Sequence, residues 1–150
     1  MRSLNDAVKV LNAVRPQTTT GTGTPTDASV EAIDTLGYNT ALFNVAVGTA
    51  TGTTTAVTLT LDAKVQECAT SDGIYTDVTG ATMTRITAVV GAGKVAQIPV
   101  EGLGTSRLRY LKLVITPAVT PATDARLPVS GTVLLGRAYQ DPVGNSSVAA

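Results

Sequence analysis

The chain has 150 residues, of which 43% are apolar, with 11 basic and 11 acidic side chains and no histidine. That length suits one domain, and zero net charge gives no general pull toward nucleic acid or anionic lipid. Without histidine the commonest general base and metal ligand are missing, and Ser-His-Asp and Cys-His arrangements are excluded. Aromatics reach only 3% and Trp is absent, so the core must come from Val, Leu, Ile and Ala. Cys68 stands alone, which excludes an intrachain disulfide. No apolar run is long enough to cross a membrane as a helix, and MRSLNDAVKV lacks the apolar region of a signal peptide.

Residues 3–14, SLNDAVKVLNAV, carry helical spacing: Ser3 and Asp6 resemble a capping box, and Leu4, Val8, Leu11 and Val14 fall on one stripe. A short helix or extended arm is expected here. Residues 15–27 are Thr- and Gly-rich and read as a polar linker; their GTGT lacks the Lys and helix of a phosphate loop. Strands follow over 30–36 and 40–47, the second apolar on both faces.

The clearest signal lies in TTAVTLTLDAKVQECATSDGIYTDV, residues 54–78. Val57, Leu59, Leu61, Ala63 and Val65 alternate with Thr58, Thr60, Asp62 and Lys64, as a strand with one buried face requires. Asp72-Gly73 predicts a tight turn, and residues 74–78 a short return strand. Further strands are expected over 82–90, 95–100 (an edge, because Pro99 lacks a donor), 107–116 and 127–135, where Gly131 marks a bulge. Pro117 and Pro121 bracket a loop, and a polar tail follows Gly136.

About eight short strands separated by turn signals predict an all-β fold, an antiparallel β-sandwich of jelly-roll or Greek-key type. An immunoglobulin-like sandwich is the second choice; its usual buried Trp and cysteine pair are missing. The expected organisation is an arm and linker over 1–27, a sandwich over 28–136 and a tail over 137–150.

Little in the chain has the chemistry of a catalyst. Asp62, Glu67, Asp72 and Asp77 cluster around the long strand, but a glycosidase pair needs an aromatic-lined cleft and a calcium loop needs more oxygen ligands. Asp72 reads as a turn former and Asp77 as a surface charge. Arg107, Arg109 and Lys112 lack the interleaved aromatics of a nucleic-acid patch. Cys68 reads as a structural thiol. No enzyme, metal or cofactor is expected.

The order of several segments resembles the small auxiliary capsid proteins of tailed bacteriophages, the decoration or cement proteins. They are Leu36-Gly37-Tyr38 followed by ALFNVAVG, an alternating strand into VQECATSDGIYTDV, then RYLKLVIT and a closing VLLG. The likeness covers most of residues 28–136, and Cys68 stands where that pattern more often has Ser. It implies a non-enzymatic virion component made in the host cytoplasm. Such a protein binds the capsid exterior, bridges major capsid proteins and stabilises the shell. A homo-oligomer is implied, a dimer before a trimer. Leu4, Val8, Leu11 and Arg15 of the arm are the expected partner contacts. The alternative is a carbohydrate-binding or host-adhesion module, or a tail-associated sandwich.

Overall fold

The computed structural model describes residues 8–20, 30–49, 51, 58–89, 94–120 and 126–136. Among them are nine strands: β1 (Val8–Thr20), β2 (Ile33–Asp34), β3 (Thr40–Val47), β4 (Thr58–Cys68), β5 (Thr76–Thr82), β6 (Ile86–Val89), β7 (Lys94–Glu101), β8 (Tyr110–Thr120) and β9 (Arg126–Gly136). They build two antiparallel sheets. Sheet A runs β1-β9-β3-β7, and sheet B runs β2-β8-β4, with β5 and β6 sharing the far side of β4. The fold is an all-β sandwich of jelly-roll type.

Alternation decides which side of each strand faces the core. In β3, Ala41, Phe43, Val45 and Val47 are buried; in β4, Leu59, Leu61, Ala63 and Val65 are buried. From β8 and β9 come Leu111, Leu113, Ile115, Val133 and Leu135. Phe43 is the chain's one phenylalanine and is fully buried, so aliphatic packing carries the rest of the core.

The expected helix over residues 3–14 is corrected by the structure. Leu4 lies outside the described residues, and Val8–Thr20 is a strand, paired with β9 from Val8↔Gly136 to Thr20↔Arg126. Without it the long apolar strand β9 would be an unpaired edge. A β-strand here satisfies backbone groups along β9 that a helix would leave open. The helical spacing arose because β1 is irregular. Its register shifts on both sides of Val14, so adjacent Ala13 and Val14 are both buried. Gly131 sits opposite Val14, so the irregularity expected near Gly131 belongs to its partner strand. The described part of the expected arm and linker, 8–20, is therefore sandwich.

Three further boundaries move. The β4–β5 connection is a loop over 69–75, not a tight turn, and the return strand starts at Thr76. Gly73 lacks a left-handed φ; a Cβ there would lie 2.5 Å from Cys68 Sγ and 2.6 Å from Thr70 Oγ1. It is needed for close approach, not for turn geometry. Strand β8 runs through Pro117, which pairs with Leu61, so the expected loop after Thr116 begins later.

The two solvent faces differ. Sheet B's outer face is ionic: Arg85 clamps Asp62 through Nε (2.9 Å) and Nη2 (2.7 Å), and Asp77 accepts from Lys64 (2.8 Å) and Gln66 (2.7 Å). On the outer face of sheet A a row of apolar side chains crosses all four strands in register: Val10, Leu134, Leu42 and Pro99.

Candidate interaction surface

The register places three connections at one end of the sandwich. Strand β2 ends at Asp34 opposite Tyr110, β4 ends at Cys68 opposite the same residue, and β8 begins there. Loops 35–39, 69–75 and 102–109 therefore share an end. Each carries an exposed large apolar side chain: Leu36 (68% exposed), Ile74 (91%) and Leu108 (43%). Three of the five large apolar side chains exposed among the described residues thus lie on the loops of this end.

The frame beneath them is braced by polar bonds. Arg109 grips Asp34 with two hydrogen bonds, Nε to Oδ1 (2.9 Å) and Nη2 to Oδ2 (2.7 Å). Asp34 Oδ1 also accepts the Leu36 amide (3.0 Å), an Asx turn that fixes the start of loop 35–39. Gly37 follows at φ +88°, where other residues are strained. The Thr35 amide and hydroxyl both donate to the Arg109 carbonyl, at 3.0 and 2.6 Å. The Arg109 hydrogen bonds hold the Asp34 carboxyl below the usual carboxylate range, against the opposing effect of burial.

The Glu67 side chain, near the end of β4, tucks beneath loop 102–109, where Oε2 accepts the Leu108 amide (2.9 Å) and Oε1 lies 3.8 Å from Arg107 Nη1. It thus fixes the backbone that carries Leu108. Loop 69–75 folds on itself: the Tyr75 hydroxyl donates to the Ser71 carbonyl (3.0 Å), and Lys112 Nζ lies 4.5 Å from the Tyr75 ring centre. Burial raises the Tyr75 hydroxyl above its ordinary pKa. Arg109 lies 5.2 Å from the Tyr110 ring centre. Each cation of the Arg107, Arg109 and Lys112 group thus has a partner within the fold.

Leu4 lies outside the described residues, and the other three residues expected to contact a partner sit elsewhere. Val8 is half-buried opposite Gly136, Leu11 packs against the core opposite Val133, and exposed Arg15 pairs with Glu31. Leu11 is occupied inside its own fold. Among the remaining carboxylates, Asp72 is exposed in loop 69–75, while Asp62 and Asp77 belong to the ionic face of sheet B. Leu36 and Ile74 escaped the sequence reading because each adjoins a strand and counts as a strand residue by pattern. The available signal was the glycine beside each.

No family model matches the chain, and no curated protein matches it. Among solved structures it is similar to the CBM22-1 and GH10 modules of Clostridium thermocellum endo-1,4-β-D-xylanase 10B in complex with xylohexaose. The identity is 12% and the TM-score 0.47, over 96% of this chain and 27% of that one. It is also similar to the CBM22-1 xylan-binding domain of Paenibacillus barcinonensis Xyn10C, with 15% identity and a TM-score of 0.41, over 87% of this chain and 83% of that one. A third is a family two carbohydrate esterase from Cellvibrio japonicus, with 9% identity and a TM-score of 0.27, over 92% of this chain and 36% of that one. The chain therefore spans about a quarter of the xylanase chain. At these scores the binding properties of those proteins do not carry over.

Proposed function

We propose that this chain is a non-catalytic β-sandwich module that fastens to a protein surface through its loop end, and that this surface is the exterior of a tailed-phage capsid. The observation that carries the reading is the braced frame presenting Leu36, Ile74 and Leu108 to solvent. Aliphatic side chains gain by burial against another protein's apolar surface, about 1.5–3 kcal/mol for each one fully buried. The ion pairs beneath them reduce the ordering cost of docking. The choice of a capsid follows from the resemblance of the ordered motifs. Weak contacts repeated over a closed lattice sum to strong attachment through avidity.

Carbohydrate binding is the rival reading, and the observation in its favour is the presence of Tyr75 and Tyr110 at the same end. Sugar rings stack on open aromatic faces, and each of these rings already has a cation packed against it. The test is co-sedimentation with capsids stripped of the protein. Saturable binding at a fixed ratio to the major capsid protein is expected, with binding lost in Ile74→Asp. An absence of capsid binding would refute the proposal. So would unchanged binding by an Ile74→Asp, Leu108→Asp double variant that folds normally. Glycan-array binding abolished by Tyr75→Ala would establish the rival.

A further inference from the structure

We infer that the outer face of sheet A is a self-association surface, occupied by the same face of a second copy with its strands reversed. This goes beyond the proposed function and does not depend on a capsid. Three observations point to a second copy.

The first is the pattern of charge. Outward-facing positions on the central strands β9 and β3 read Pro128, Ser130, Thr132 and Leu134, and Leu42, Asn44 and Ala46. No ionised side chain interrupts them. Charges stand at the ends, Glu101 at one and Arg126 at the other. A two-fold axis across the strands lays the Glu101 end of one copy over the Arg126 end of the other. An axis along the strands would bring like ends together, so the charges select the reversed arrangement.

The second is satisfied polarity. Beside the apolar row Val10, Leu134, Leu42 and Pro99, the row containing Asn44 and Gln97 is the polar one. Gln97 Nε2 donates to Asn44 Oδ1 at 2.8 Å. One polar group of each amide is thus partnered within the same sheet, which lowers the penalty of covering the pair. The next row adds Ala46 and Val95, the latter 68% exposed.

The third is size and shape. Four strands about 4.8 Å apart and eight residues at about 3.4 Å each give a face of roughly 500 Å². Two such faces bury about 1,000 Å², the lower limit for a specific interface. Two copies of one sheet share the same twist, so they meet the geometric condition for aligned face-to-face packing.

The experiment is sedimentation velocity on the full chain from about 1 to 100 μM. The wild type is expected to dimerise within that range. Leu42→Asp places a carboxylate inside the apolar row on both copies and is expected to weaken self-association at least ~30-fold. Val95→Lys, at an exposed position, is expected to weaken it too, and decides the matter alone if Leu42→Asp does not fold. Thr60→Asp, on the ionic face of sheet B, is expected to leave the dimer intact. A wild-type monomer at ~100 μM, a dimer that survives Leu42→Asp or Val95→Lys, or a dimer lost in folded Thr60→Asp would each overturn the inference.

Discussion

Replacing Gly131 by alanine tests the packing between the sheets. Gly131 lies on β9 and faces inward, and a Cβ there would meet Leu113 Cδ2 at 2.5 Å and Val14 Cβ at 3.3 Å. Leu113 is fully buried, so its methyl cannot swing into solvent, and Val14, also fully buried, closes the other side. Overpacking of this kind costs about 1–3 kcal/mol. The unfolded-state benefit of losing a glycine returns about 0.5–1 kcal/mol. The net expectation is a loss of ~1–2 kcal/mol, or roughly 2–8 °C in Tm for a chain of this size. Urea unfolding followed by far-UV circular dichroism reads it, with an unchanged m-value. Leu113→Ala alone is expected to cost about 2–5 kcal/mol by leaving a cavity. In the double variant the new methyl partly fills that cavity, so the combined loss falls short of the sum by about 1 kcal/mol or more. Additivity within ~0.5 kcal/mol, or a stabilised Gly131→Ala, would refute the claim that Leu113 occupies the space above this glycine.

Three other outcomes follow from the same structure. Asp34 and Asp62 have their pKa values lowered by hydrogen bonds from Arg109 and Arg85, so the unfolded chain binds protons more readily at these positions. Their stabilisation is present above the ordinary value of 3.8 and is lost as pH falls through the lower folded values. Urea midpoints measured from pH 5 to pH 2 should fall less steeply in an Asp34→Asn, Asp62→Asn variant. Cys68 is buried beneath loop 69–75, so its thiol should react with a disulfide reagent only slowly in the native protein; Gly73→Ala pushes on Cys68 Sγ and should speed that reaction several-fold. Phe43→Ala should cost about 3–5 kcal/mol in chemical denaturation, the range for an aromatic removed from a full core.

Strands with strict alternation were legible in the sequence. The pattern of Leu59, Leu61, Ala63 and Val65 is the buried face of β4, and Leu111, Leu113 and Ile115 form that of β8. Strand β1 was hidden because its irregularity at Val14 breaks the period of two, leaving a pattern that matches a helix equally well. What settles it is the need of β9 for a partner, which is information from more than a hundred residues away. Pro117 misled for a related reason: a proline reads as a break, although a lost donor costs little where the neighbouring strand does not call on it. The braced loop end was invisible for a third reason. Glu67 and Arg109 are ordinary surface residues by type, and only the pairing of β2, β4 and β8 brings them beside loops that carry Leu108 and Leu36.

The pairing of Val8 with Gly136 sets a timetable for folding. Strand β9 lies between β1 and β3, so sheet A has no centre until almost the last described residue has been made. At typical synthesis rates of about 5–20 residues per second, β1 leaves the ribosome roughly 6–25 s before its partner. Until β9 is made, β3 can pair only with β7 and keeps one side uncovered, and sheet B lacks half of its opposing layer. The nascent chain is thus most exposed to aggregation just before β9 is made. A stop at residue 125 would remove a whole sheet's organising strand, where in many folds it would only shorten an edge.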